Sequence, residues 1–224
     1  MSAFLLIFPV VLFSVVVHEC AHGFAALRCG DATARERGRL TLNPLAHLDP
    51  IGSIAVPGLL WLAHAPFLLG WAKPMPVDHA RLRDPKNDTV KVAMAGPLSN
   101  LLLALVFAAA VRLATGVVAP DLPPGTTVLA TIGGVAMAGV VWNVCLALFN
   151  LIPIPPLDGS WLVMRFLKLR HILLLHQFRL VGLVLIAAVM SSPFVSRVIF
   201  GVPARAVVSL VLGVFGVSLH GFEL

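Results

Sequence analysis

Two histidines and a glutamate lie close together in the first apolar stretch of the chain, within His18-Glu19-Cys20-Ala21-His22. On an α-helix, positions i and i+4 share one face, so both imidazoles can reach a single metal ion while Glu19 projects beside it. The chemistry expected of this set is metal-assisted hydrolysis of a peptide bond, with Glu19 acting as general base on a metal-activated water.

The surroundings of these residues are apolar, since Glu19 is the only residue with a full formal charge among residues 1–27. Ionisable groups at membrane depth are costly and are by default functional. The alternative is a helix with two incidental histidines, but a glutamate and two imidazoles left in lipid without partners would be strongly unfavourable. One bound Zn²⁺ per chain removes that difficulty and is the predicted cofactor.

A catalytic zinc ion commonly has three protein ligands and one open position, so the two histidines need a third partner. Asp158 is the best candidate, because it is the only acidic residue between Asp121 and Glu223 and follows a proline-rich stretch that must unwind a helix. Its alternative role is a helix N-cap. Because His18 and His22 lack another partner in the sequence, metal ligation is favoured.

The composition predicts an all-α polytopic membrane protein. Hydrophobic residues make up 59% of the 224 residues and charged residues 12%, whereas soluble domains carry about a quarter charged. This length accommodates about five to six transmembrane helices in one membrane-embedded domain, 1–224, with a core at 1–170 and extra helices at 171–224. The chain has a net charge of +6, and its basic residues cluster beside the apolar segments. This placement indicates cytoplasmic flanks next to a lipid bilayer rather than nucleic-acid binding.

The second apolar stretch, residues 51–71, has basic residues on both flanks, so it should enter and leave the membrane by the same face. Pro57, Gly58 and Pro66 argue against one straight helix. We therefore predict a re-entrant, β-hairpin-like membrane element after the first helix, in preference to a full span.

Four further polar residues are candidates for the site. Asn100 and Asn150 are amides at membrane depth that can bind an extended substrate backbone or an oxyanion, or equally form interhelical hydrogen bonds. Asp49 can orient a zinc histidine from outside the ligand set. For His47 and Asp49, which flank the 51–71 element, a loop or turn role is favoured.

Motifs along most of the chain resemble the site-2 protease family of intramembrane zinc metalloproteases, peptidase family M50. Three of them are the HExxH sequence at 18–22, AGPLSN at 95–100 and NLIPIPPLDG at 150–159. Two more, NPLAHLDPIG at 43–52 and GWAKPMPV at 70–77, resemble its compact bacterial and archaeal branch, which lacks PDZ and CBS domains.

The resemblance implies that His18, His22 and Asp158 hold zinc and that Glu19 is the general base. It also implies regulated intramembrane proteolysis: cleavage within or near a transmembrane segment of a substrate protein that another protease has already trimmed. A prokaryotic plasma membrane, with the active site toward the cytoplasmic side, is the expected location.

Two other functions compete with this interpretation. Intramembrane histidine and aspartate also mark the ion paths of metal transporters, but a transporter would show ligands spread along a path and often an internal repeat, and neither is visible. A catalytically silent membrane scaffold is the second alternative. Retention of Glu19 argues against it, because a structural zinc site needs no general base.

Overall fold

The computed structural model describes residues 2–62, 70–117, 128–177 and 179–218, which form helices and loops without a β-strand. The helices in chain order are α1 (Ser2–Arg28), α2 (Thr33–Glu36), α3 (Val56–Leu62), α4 (Pro85–Val117), α5 (Val128–Asn150), α6 (Ser160–Met164), α7 (Leu169–Gln177), α8 (Arg179–Ser191), α9 (Pro193–Ser196) and α10 (Val202–Gly213). Short 3₁₀ segments occur at Pro44–His47 and His79–Arg81, and π-helical segments at Pro50–Ala55 and Arg197–Gly201.

Four helical segments are long and apolar enough to cross a membrane, which makes the chain a multi-pass membrane protein. They are Leu6–Arg28, Pro85–Thr115, Ala130–Asn150 and Pro193–Gly213. The sequence predicted five to six spans, one of them at 172–190. That region is covered by α7 and α8, which lie on either side of residue 178, outside the described residues, so a span there stays a prediction.

The 51–71 element is helical where the structure describes it. The π-helical segment Pro50–Ala55 continues into α3, and the apolar helix they form, Pro50–Leu60, is shorter than the four spans. Residues 63–69 lie outside the described residues, so re-entry stays a prediction. No hairpin of strands is present in residues 50–62.

The chain divides into two compact units, and α1 and α4 each contribute a part to both. One unit comprises Met1–Ser14 and Pro97–Leu224. Its core lies between α4, α5 and α10 and consists of ten buried residues, many of them small: Ala104, Ala108, Val111, Ala136, Met137, Val140, Val144, Val208, Val211 and Leu212. Small side chains allow membrane helices to approach closely, which is how such helices associate without a hydrophobic driving force.

The other unit is Val15–Gly96, which contains the HExxH motif. Its buried cluster joins Ala26 near the end of α1 to Leu82 and to Val92 in the first turns of α4. The backbone N–H of Arg83 donates to the Cys29 carbonyl at 2.9 Å. These contacts tie the end of α1 to the start of α4.

Asp31 reinforces this connection from the loop after α1. Its carboxylate is fully buried and accepts hydrogen bonds from the N–H and hydroxyl of Thr33 and from the N–H of Asp78, the last at 2.7 Å. Burial alone would raise the pKa of Asp31, but these donors outweigh it and hold the pKa below its ordinary value. The charged carboxylate is therefore part of the folded structure.

We expect Asp31→Asn to lower the free energy of unfolding by about 1–3 kcal/mol at pH 7, because an amide group would meet a backbone donor in a buried position. A lowered folded-state pKa stabilises the fold above the unfolded value of about 3.9, and this contribution is lost as the pH falls through the folded value. Thermal unfolding in detergent at pH 7 and pH 3 measures both effects. Glu36→Gln, at an exposed position, is the matched control, and equal stability of wild type and Asp31→Asn at pH 7 would contradict this role.

Candidate metal centre

His18 and His22 converge on one point from consecutive turns of α1. Their Nε2 atoms lie 3.1 Å apart, and both side chains are buried. The rings are edge to face, with centroids 4.7 Å apart. Two imidazole nitrogens bound to one tetrahedral zinc ion at about 2.0–2.1 Å each are about 3.3 Å apart. The pair therefore fits a shared metal ion.

A backbone contact fixes the protonation pattern of His22. Its Nδ1 lies 2.7 Å from the carbonyl oxygen of Val92. A carbonyl only accepts hydrogen bonds, so Nδ1 carries a proton, and in the neutral imidazole Nε2 keeps its lone pair. A histidine that donates through one nitrogen to a carbonyl is the arrangement typical of a metal ligand, because the contact orients the ring and raises the basicity of the other nitrogen.

Gly96 of α4 leaves room for the two rings. A Cβ atom at this position would lie 2.5 Å from His22 Nε2 and 2.6 Å from His18 Nε2. Only a residue without a side chain allows the α4 backbone to approach the imidazoles this closely. The glycine of the AGPLSN motif is thus required by the histidine pair.

Glu19 is half-buried, and its Oε2 accepts a hydrogen bond of 2.7 Å from the backbone N–H of Met75. Oε1 makes no hydrogen bond within the described part of the chain. The carboxylate is therefore fixed through one oxygen, while the other is available to take a proton.

His47 and Asp49 lie just before the Pro50–Ala55 segment. His47 is buried, its Nε2 donates to the Thr41 carbonyl at 2.8 Å, and its Nδ1 has no partner among the described residues. The Asp49 carboxylate accepts from the N–H groups of Ile51 and Gly52 and caps the π-helical segment. The Asp49 contacts are those of a turn, whereas His47 also approaches Cys20 of the HExxH motif, with its Nε2 3.9 Å from the Cys20 Sγ.

Asp158 lies in the unit that contains α5. The helix ends at Asn150, and Asp158 follows in a loop just before α6, with a half-buried side chain. The N–H of Gly159 donates to the Asn150 carbonyl at 2.6 Å, and a Cβ at Gly159 would collide with the Leu151 carbonyl. This glycine therefore folds the loop tightly onto the end of α5.

The two candidate amides differ in their surroundings. Asn100 is fully buried in α4, whereas the side chain of Asn150 donates to the Leu146 carbonyl of its own helix at 2.9 Å. Sequence reasoning missed a third amide, Asn143, which is fully buried and donates to Ser14 Oγ at 2.9 Å. The signal was present, because Asn143 is an isolated amide in an apolar run like the other two.

Comparisons with known proteins point to zinc proteases. The chain is 39% identical over 154 residues to "Putative zinc metalloprotease YwhC" of Bacillus subtilis, which covers 66% of this chain and 63% of that protein. It is 32% identical over 158 residues to "Putative zinc metalloprotease Rip2" of Mycolicibacterium smegmatis and of Mycobacterium tuberculosis, covering 70% of this chain and 56% of each relative. The chain thus spans about three fifths of the length of these relatives. No protein-family model and no solved structure matches it.

Proposed function

We propose that this chain is an intramembrane zinc metalloprotease of the site-2 protease type, M50, which cuts substrate proteins within or near their transmembrane segments. The observation that carries the proposal is the buried pair of histidine Nε2 atoms 3.1 Å apart on α1, next to a glutamate with one uncommitted oxygen. The names of the relatives and the four apolar helices support it.

His18 and His22 would hold the ion through Nε2, and we propose Asp158 as the third ligand. A carboxylate together with two imidazoles is a ligand set of catalytic zinc sites. Asp158 follows the end of α5 in a loop that Gly159 holds tightly, so its backbone position is well defined. A bound zinc ion supplies Lewis-acid polarisation of the scissile carbonyl and lowers the pKa of a water.

Glu19 is the proposed proton carrier. As the water oxygen bonds to the scissile carbonyl carbon, one water proton moves to Oε1 of Glu19. The same proton then passes to the leaving nitrogen as the C–N bond breaks, which gives a carboxylic acid and an amine. Met75 N–H stays on Oε2 throughout, so the carboxylate does not need to reorient between the two transfers.

The proposed substrate is a transmembrane protein trimmed beforehand by another protease, in a prokaryotic plasma membrane with the cut toward the cytoplasmic side. A helical segment hides its peptide bonds in i to i+4 hydrogen bonds, so it must unwind locally before attack. Exposed basic residues around the end of α1, which include Arg28, Arg35 and Arg37, support the cytoplasmic orientation.

The test is cleavage of a panel of single-span membrane proteins by purified protein in liposomes, with zinc counted in the same preparation. The expected result is cleavage at a defined bond near or within the span, about one zinc ion per chain, and loss of cleavage on chelation. A chain that binds zinc but transports it, or that binds no metal, contradicts the proposal.

We expect Asp158→Asn to lower zinc affinity and cleavage together, because a neutral amide is a poor zinc ligand compared with a carboxylate. Zinc affinity is measured by competition with a chelating dye. Asp49→Asn is the matched control: its carboxylate caps a turn, where asparagine is an equally good cap, so its zinc affinity should equal that of wild type. Unchanged affinity in Asp158→Asn would remove this residue from the ligand set.

A further inference from the structure

Residues 71–75 form an extended segment whose backbone donates from alternate residues toward one side. The three contacts are Trp71 N–H to Gly52 O at 3.1 Å, Lys73 N–H to His47 O at 2.8 Å and Met75 N–H to Glu19 Oε2 at 2.7 Å. Alternate residues of an extended chain point to the same side, so the three N–H groups face one side of the segment. Two of them donate to backbone carbonyls and the third to the Glu19 carboxylate.

The other side of the segment has fewer backbone donors. Pro74 and Pro76 stand at two of its alternate positions, and proline has no N–H to donate. On the first side, the N–H of Met75 is committed to Glu19.

Arg39 holds the segment immediately before that donor. Its Nη2 donates to the Lys73 carbonyl at 2.9 Å and, more weakly, to the Pro74 carbonyl at 3.5 Å. These are the two carbonyls that precede the Met75 amide in the chain. The shorter bond holds the Lys73–Pro74 peptide, and the longer one reaches the carbonyl of the Pro74–Met75 peptide, to which the Met75 N–H belongs.

We propose that Arg39 is a positioning residue for Glu19, acting through the 71–75 segment and the N–H of Met75. The terminal torsion of a glutamate is broad, so a half-buried carboxylate without this contact would sample several orientations. The Met75 hydrogen bond selects one orientation and leaves Oε1 for proton transfer. The inference rests on the proposed function of Glu19 and adds a residue to its machinery that lies 20 positions away in the sequence.

The Met75 contact is tested by comparing Met75→Pro with Met75→Ala. Both lose the side chain, but only proline loses the N–H, and the extended backbone between two prolines accommodates a third. We expect kcat of Met75→Pro to be lower than that of Met75→Ala by up to about 100-fold, the cost of a misplaced catalytic group, with equal KM and equal zinc content. Equal kcat values would overturn the role of the N–H.

The Arg39 contact is tested with Arg39→Ala and Arg39→Lys. Alanine should lower kcat without changing KM or zinc content, and lysine should restore part of the loss, because an ammonium group can still donate to the Lys73 carbonyl. Arg37→Ala is the matched control: this side chain is exposed and makes no hydrogen bond or ion pair in the described part of the chain. If Arg37→Ala and Arg39→Ala behave alike, the effect is one of charge and the inference fails.

A second readout does not depend on proteolysis. In protein labelled with ¹⁵N-methionine, the Met75 amide is identified by the signal that Met75→Ala removes, and its hydrogen exchange reports the bond to Glu19. We expect faster exchange in Arg39→Ala and in Glu19→Ala than in wild type. Unchanged exchange overturns the inference even if the protein cleaves substrates, whereas faster exchange in a protein that cleaves nothing supports the contact and rejects the proposed function.

Discussion

Glu19→Gln is expected to reduce peptide-bond cleavage by about 10²–10⁴-fold, the usual contribution of a general acid–base group. Zinc content should stay unchanged, because the glutamate is not among the proposed ligands. Glutamine has the same length, and its carbonyl oxygen can still accept the Met75 N–H that Glu19 Oε2 accepts at 2.7 Å. The substitution therefore removes proton transfer and leaves the position of the side chain intact.

Initial rates of cleavage in liposomes, with zinc counted in both proteins, measure this effect. Glu36→Gln is the matched control, since Glu36 is an exposed glutamate paired with Arg81 on the surface, and its rate should equal that of wild type. A Glu19→Gln protein that retains its zinc and cleaves at the wild-type rate would reject Glu19 as the proton carrier. Loss of zinc together with activity would instead give Glu19 a structural role in the metal site.

Sequence spacing was sufficient for the parts of the site that depend on local geometry. The i, i+4 spacing of His18 and His22 predicted that their rings share one face of α1, and the rings do converge. The hydrogen bonds that orient His22 and Glu19 could not be predicted from spacing. His22 meets a carbonyl 70 residues away and Glu19 an N–H 56 residues away, and a spacing rule carries no information about such distant partners.

The membrane helices show the same division between local and distant information. Hydropathy identified α1, α4 and α5 because long apolar runs are an intrinsic property of the sequence. Composition also predicted a span at 172–190, where α7 and α8 lie on either side of residue 178, outside the described residues, so this span stays a prediction. The partners of polar residues inside the spans also became known only from the structure. The Asn143 amide, for example, donates a hydrogen bond to Ser14, 129 positions earlier in the sequence.

Gly96→Ala is expected to abolish zinc binding without unfolding the protein. The new methyl group would lie 2.5 Å from His22 Nε2 and 2.6 Å from His18 Nε2, closer than van der Waals contact allows. The imidazoles are the movable groups, so they must turn away from the point where they converge. The loss of zinc affinity should be at least the roughly 10–100-fold that follows removal of an outer hydrogen-bond partner of a ligand.

The helix itself should tolerate this change, because alanine is favoured over glycine in a helix interior by about 1 kcal/mol. Gly134→Ala in α5, where a Cβ meets nothing within 4 Å, is the control for that propensity effect. Thermal unfolding with a chelator present separates the two contributions: without metal, Gly96→Ala should be at least as stable as wild type. If it unfolds at a lower temperature under these conditions, the collision damages the packing of α4, and the space left by Gly96 serves the fold rather than the metal ion.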